Sequence, residues 1–310
     1  MSTEPQELVV ISGKGGTGKT SMVAAFAALA ENLILADCDV DAADLHLVLE
    51  PRIIRRQHFS GGKQARIKTG HCTACGQCAE LCRFAAITFD GSGNGKVKKT
   101  FRVDPIACEG CGVCHWFCPA DAIEFTPTIN GEWYVADTRH GPMVYAKLGI
   151  AEANSGKLVS IIRSEAGTIA RLRSLNLVLI DGSPGIGCPV IASVTGADVA
   201  LIVTEPTLTG LHDLLRVAEV TRHFGIPGLV CVNKWDLNPG ITVQIERQAE
   251  ERGLSVVGRV RYDPAVTEAQ IHKQSVVEYQ QKGCAEDIRK VWSVIADAWL
   301  TPSRNPRAGS

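Results

Sequence analysis

Gly13-Lys14-Gly15-Gly16-Thr17-Gly18-Lys19-Thr20 stands between an apolar run, Leu8–Ser12, and an alanine-rich segment with helical character from about 19 to 31. A glycine loop that joins a buried strand to a helix leaves few folds open. Its backbone N–H groups and the helix N-terminus converge on one point, which makes a cradle for an anion. The same alternation returns along the chain. Strand-length apolar runs fall at 33–36, 177–180, 199–204, 229–233 and 256–261, with a hairpin near 133–147. Helical periodicity fills 155–175, 209–223, 241–252 and 286–300. Strands alternating with helices imply an α/β fold with a mostly parallel sheet covered on both faces.

The alternation breaks once. Two cysteine runs interrupt it, Cys72-x-x-Cys75-x-x-Cys78-x-x-x-Cys82 and Cys108-x-x-Cys111-x-x-Cys114-x-x-x-Cys118, with a turn at Gly91-Ser-Gly-Asn94-Gly95 between them. The expected organisation is a discontinuous domain of residues 1–60 and 127–300, a small α+β insert at 61–126, and a flexible tail at 301–310. The insert would leave the sheet at the carboxyl ends of its strands, where open α/β sheets place their ligands.

Twelve cysteines in 310 residues would suggest disulfides in an exported chain. Eight of them fall into the two runs, however, and Met1-Ser-Thr-Glu-Pro5 lacks the basic and apolar regions of a signal peptide. A reducing cytoplasm is the expectation. A formal net charge of -1 supplies no bulk basic field for nucleic acid or anionic lipid. Apolar runs such as Val199–Val203 are too short to span a membrane.

Within the glycine loop, Gly13, Gly15, Gly16, Thr17 and Gly18 supply backbone donors, Lys19 reaches β- and γ-phosphates, Thr20 is placed for Mg²⁺, and Ser21 follows them on the helix. Leu177–Ile180 is an apolar strand ending in Asp181, a pattern that holds Mg²⁺ through water. The Gly182-Ser-Pro-Gly185 segment after it suits a loop that senses the γ-phosphate.

Lys14 makes the loop distinctive. Lys-Gly-Gly-Thr-Gly-Lys-Thr resembles the deviant Walker A signature of the MinD/ParA family of P-loop ATPases, which includes the nitrogenase iron protein. The resemblance implies ATP with Mg²⁺ and a nucleotide-sandwich dimer, formed with itself or with a similar ATPase. In it Lys14 would reach the partner's nucleotide as an arginine finger does. The resemblance also makes Asp39 the candidate to orient the attacking water, with Asp37 near Mg²⁺. Asn233 and Lys234 look like the base-recognition segment, and Tyr262-Asp263-Pro264 sits where relatives pack the base. Asn-Lys-x-Asp also occurs in GTPases, where the aspartate reads guanine, so both bases stay open here.

Each cysteine run matches the two-cluster bacterial ferredoxin pattern, in which three cysteines of one run join the fourth of the other. One [4Fe–4S] cluster would use Cys72, Cys75, Cys78 and Cys118, and the second Cys108, Cys111, Cys114 and Cys82. Zinc also takes C-x-x-C pairs, but two full runs of four are hard to explain as zinc ribbons. Arg83 stands where the pattern has proline after Cys82, and Ile87 and Ile123 are expected in the insert's small core.

Over nearly its whole length the chain is similar to MinD-superfamily ATPases that contain an inserted ferredoxin domain. The resemblance implies a nucleotide-driven dimer switch that controls electron transfer to a redox partner protein. The alternative is an ATPase that assembles or carries iron–sulfur or metal cofactors. Cys188 lies at the offset of a cluster ligand in the nitrogenase iron protein, but it reads more simply as a buried thiol. Cys38, Cys231 and Cys284 read as core residues. Asn154-Ser-Gly-Lys157 fits either a partner or anion contact or a helix cap. Ile288, Val291, Trp292, Ile295 and Trp299 form one stripe on the last helix, with a mixed rather than basic polar face. Core docking is therefore expected in place of membrane binding.

Overall fold

Strand β1 (Gln6–Ser12) pairs in parallel with two neighbours far away in sequence, β10 (Leu177–Pro184) and β11 (Val199–Thr204). The computed structural model describes residues 4–149 and 155–300. Beyond β11 the sheet continues in parallel through β12 (Gly228–Asn233) and β13 (Ser255–Val260). On the other side it runs through β2 (Leu33–Asp37), β9 (Gly141–Leu148), β8 (Gly131–Thr138) and β3 (Arg52–Phe59), giving nine strands in the order β13-β12-β11-β1-β10-β2-β9-β8-β3. The seven strands from β13 to β9 are parallel neighbours. The apolar runs of β1, β2, β10 and β11 are buried throughout, as strands covered on both faces must be.

Helices supply that cover. α1 (Lys19–Leu29) buries Met22–Ala27, and α11 (Cys284–Trp299) buries Ile288, Val291 and Ile295 in the same core, with Trp292 and Trp299 packed against it. The last helix is thus core-docked. α5 (Ser155–Arg173), α6 (Cys188–Val194), α7 (Leu208–His223), α8 (Pro239–Glu250), α9 (Ala265–Ile271) and the single turn α10 (Val276–Tyr279) complete this layer. Among the described residues no helix is long and apolar enough to cross a membrane.

Sequence periodicity did not point to α2 (Leu45–Leu49) or to β3. Their pattern is local and short, and β3 is exposed along nearly its whole length, so no buried face marks it. Residues 301–310 and Asn154, both singled out by the sequence, lie outside the described residues.

The chain separates into two compact units. One takes the described residues up to Gln57, Trp133–Lys147 and Ser155 onward; the other takes His58–Glu132 with Leu148 and Gly149. In the second, β4 (Gly62–Ile67) pairs antiparallel with β7 (Ile123–Thr128), and β5 (Ile87–Ser92) with β6 (Lys99–Val103). Two four-residue helices, α3 (Gln77–Glu80) and α4 (Val113–Trp116), lie within the two cysteine runs. Ile87 and Ile123 are buried, at 8% and 2% exposure.

Candidate functional site

The parallel register decides where the acids meet. Asp37 at the end of β2 stands opposite Asp181 on β10, and Asp181 stands opposite Val10 on β1. Three adjacent strand ends therefore bring two carboxylates beside the start of the glycine loop. Lys19, the first residue of α1, extends its Nζ to 2.7 Å from Asp181 Oδ1 and 3.2 Å from Asp39 Oδ2. All four side chains are buried. Burial alone would lower the Lys19 pKa, but the charges of Asp181 and Asp39 outweigh it and hold the ammonium above the ordinary lysine value. Burial, followed by the charge of Asp181, pushes Asp37 well above the usual carboxylate range. Asp39 is also pushed up by burial, against the pull of Lys19.

Three buried oxygens in this group have no partner: Asp37 Oδ2, Asp181 Oδ2 and Thr17 Oγ1. A buried polar atom left unpaired costs about 1–3 kcal/mol, so sites that keep several are built to receive something polar. A hydrated divalent cation with phosphate oxygens meets all three needs. Thr20 lies one residue beyond Lys19 and is half-buried.

Close packing explains two of the loop's glycines, Gly13 and Gly18. A side chain at Gly13 would bring its Cβ 2.4 Å from Cβ of Asp213 on α7. Gly18 holds φ at +88°, and a Cβ there would stand 2.3 Å from Asn233 Nδ2. Gly15 and Gly16 are exposed, and Ser21 accepts a hydrogen bond from Gln270 at 3.0 Å.

The segment after β12 is laced to the loop. Asn233 Nδ2 donates to the Thr17 carbonyl at 2.7 Å, its Oδ1 accepts from the Lys234 N–H, and Lys234 Nζ donates to the Gly16 carbonyl at 3.1 Å. Nearby, the exposed Tyr262 donates its backbone N–H to Asp236. Asp263 accepts from Gln280 and from the backbone of Ala265 and Cys284, while Pro264 caps α9. The Asp263 carboxylate thus organises the loop.

Sequence reasoning missed Glu205, which follows β11 and meets both Lys14 and Lys234. A lone glutamate after an apolar strand carries no pattern that would mark it. In the Gly182–Gly185 loop that the sequence singled out, the Ser183 hydroxyl donates to the Cys38 carbonyl at 2.6 Å, while the Gly185 N–H donates to the Ser12 carbonyl. These bonds tie the loop after Asp181 to the Asp37–Asp39 segment and to the root of the glycine loop.

In the second unit the cysteines segregate into two sets. One cavity is lined by Cys72, Cys75, Cys78 and Cys118, and another by Cys82, Cys108, Cys111 and Cys114. The two runs share a local backbone. Gly76 and Gly112, each one residue after the second cysteine of its run, hold φ at +84° and +78° and face Phe101 and Phe125. Burial raises the thiol of Cys78 to about 11 and that of Cys114 above its ordinary value. Among the described residues no three His, Cys, Asp or Glu side chains are grouped to hold one metal ion. Sulfurs around a single tetrahedral zinc stand only about 3.8 Å apart. A four-iron cubane binds each thiolate to a different iron and spreads them further, so the donor chemistry and its division four and four fit two cubanes.

Cys38, Cys231 and Cys284 are buried as expected, but Cys188 is exposed. The expectation of a buried thiol there fails because Cys188 opens α6 at its solvent side, and Val190, Ser193 and Val194 form the buried face.

A phosphate-type loop, a buried lysine among carboxylates and a parallel sheet define a P-loop nucleotide-binding protein. The model of the CobQ/CobB/MinD/ParA nucleotide binding domain matches residues 8–276, and the chain belongs to that family. It is 34% identical over 242 residues to the uncharacterized protein MJ0578 of Methanocaldococcus jannaschii, covering 75% of this chain and 79% of the relative. The uncharacterized protein MJ0579 of the same organism is 26% identical over 303 residues, or 96% and 98% of the two chains. In fold the chain is similar to a chain of the MinC:MinD cell division protein complex of Aquifex aeolicus, with TM-score 0.56, 17% identity, and 97% and 99% of the chains covered. It is likewise similar to MinD complexed with Mg-ADP from Pyrococcus horikoshii OT3, with TM-score 0.53, 16% identity, and 94% and 96% covered.

Proposed function

We propose that this chain is a Mg²⁺-dependent ATPase whose nucleotide-driven dimer switching controls electron transfer, through two [4Fe–4S] clusters, to a partner protein. The observation that carries the cluster half is the sorting of eight cysteines into two sets of four, each completed by the last cysteine of the other run. The observation that carries the nucleotide half is Lys19 held among Asp37, Asp39 and Asp181, with three buried oxygens unpaired.

Binding of ATP would exchange the carboxylate partners of Lys19 for the β- and γ-phosphates. Thr20, with Asp181 and Asp37 acting through water, would hold Mg²⁺. Asp39, freed from Lys19, would orient the water that attacks the γ-phosphorus, giving ADP and inorganic phosphate. Lys14 would cross to the partner's nucleotide and stabilise the charge of the transferring group. Asn233, Lys234 and the Tyr262–Pro264 loop border the base. Loss of the γ-phosphate would let the Cys38–Asp39 segment and the segment after Asp181, joined by the Ser183 bond to the Cys38 carbonyl, relax together. The clusters supply one-electron chemistry, and the thiols must release protons to bind them.

A second reading is a carrier that delivers clusters, and one observation favours it: Cys75 and Cys111, one from each set, are exposed. Anaerobic reconstitution followed by incubation with an apo-protein acceptor separates the two. Retention of iron by this chain, with phosphate release that requires Mg²⁺ and Lys19, supports the switch; complete transfer of iron supports the carrier.

A further inference from the structure

The turn at Gly91–Gly95 is the closely packed tip of the β5–β6 hairpin. Thr100 is fully buried and donates its hydroxyl to the Ser92 carbonyl at 2.7 Å. A Cβ at Gly93 would come within 2.6 Å of the Lys98 carbonyl oxygen, so the two arms of the hairpin are in contact there. From this tip the side chain of the half-buried Asn94 makes four hydrogen bonds. Its Oδ1 accepts from the N–H groups of Lys96 and Val97, both at 3.1 Å. Its Nδ2 donates to the carbonyls of Thr69 at 2.7 Å and Cys72 at 2.9 Å. The two N–H donors of Nδ2 meet two carbonyls and the single oxygen Oδ1 meets two N–H groups, so the amide has one orientation.

We infer that Asn94 is a positioning residue for the first cysteine set. It fixes the backbone at Cys72, where the loop through Cys75 and Cys78 begins, and so aims those thiols at one cluster. The inference rests on the cluster reading above. Phe101, on the strand that follows the tip, lines the same cavity and lies 3.7 Å from where a Gly76 Cβ would be. The β5–β6 hairpin therefore supports the first set through both its tip and its strand. All four side-chain bonds of Asn94 fall on the hairpin and on the segment that opens the first run, so its effect is confined to one cluster.

Two variants of the full chain separate the roles of the amide. Asn94→Ala removes all four bonds. Asn94→Asp keeps an acceptor for the hairpin N–H groups and loses both donors to the Thr69 and Cys72 carbonyls. After anaerobic reconstitution, iron and acid-labile sulfide are counted, and the reduced protein is read by electron paramagnetic resonance. The wild type is expected to hold two clusters with magnetically interacting spectra. Both variants are expected to lose cluster one, falling to about half the iron. The remaining spectrum should be that of an isolated cluster, matching a Cys75→Ser control. Full iron with an unchanged spectrum in Asn94→Asp, or equal loss of both clusters, overturns the positioning role. A wild type that binds no iron overturns the cluster reading itself.

Discussion

Glu205 Oε1 lies 2.5 Å from Lys14 Nζ, and the second carboxylate oxygen lies 3.6 Å from Lys234 Nζ. One carboxylate thus holds the lysine proposed to act in trans and the lysine that donates to the Gly16 carbonyl. Thr209 adds a weaker contact to Lys14 at 3.4 Å. Before Lys14 can serve a partner's nucleotide it must leave Glu205.

Lys14→Ala should therefore keep nucleotide binding and lose the dimer, with hydrolysis falling about a thousandfold, as for loss of an arginine finger. Glu205→Gln should act the other way. The pair is partly exposed, so it is worth at most about 1 kcal/mol, and dimerisation should need up to about fivefold less nucleotide. Sedimentation with a non-hydrolysable ATP analogue reads both. An unchanged dimer in Lys14→Ala would contradict the trans role.

Lys19 is the cation that pairs with Asp39 and Asp181 and offsets the charge of Asp37 beside them. Lys19→Ala leaves buried carboxylates uncompensated, and stability should fall by about 3–5 kcal/mol in denaturant unfolding, with hydrolysis abolished. Mg²⁺ should restore part of that stability in the variant, because the cation replaces the lost charge. Unfolding curves that superimpose on the wild type would show that Lys19 does not lie among the acids.

Glu278 carries the clearest acid-limb dependence. Partial burial pushes its carboxyl up, but bonds from Arg139 at 2.8 and 2.9 Å and from Ser275 outweigh this and bring it down to about 2. Its folded value lies below the ordinary 4.5, so its contribution is complete above about pH 4.5 and fades as pH falls toward 2. Glu278→Gln should flatten that part of the stability–pH profile and leave the neutral plateau lower. A parallel profile would show the pair contributes nothing in solution.

Native alkylation of the holoprotein should label one cysteine. Eight are ligands in the proposed clusters, Cys38, Cys231 and Cys284 are buried, and Cys188 is exposed. Mass spectrometry after brief treatment should find the adduct at Cys188, and Cys188→Ser should keep its full iron. Fast labelling within either run would contradict stable ligation.

The parallel sheet was legible because its strands are buried on both faces and read as unbroken apolar runs, as at Leu8–Ile11 and Val199–Val203. Lys19 and Asp181 were legible because their backbone context, strand end and helix start, is fixed by local pattern. Glu205 and Asn94 were not, because each acts through partners that only the folded chain brings near. Cys188 was misjudged for a related reason: residue type suggests burial, but the face of a short helix decides it.

The most direct test of coupling between nucleotide and clusters is an anaerobic redox titration followed by electron paramagnetic resonance. It would compare ADP, a non-hydrolysable ATP analogue, and the analogue with Lys14→Ala. The ATP analogue should shift the midpoint potential or line shape of the reduced clusters, and Lys14→Ala should cancel the shift. Spectra and potentials indifferent to nucleotide would contradict that coupling.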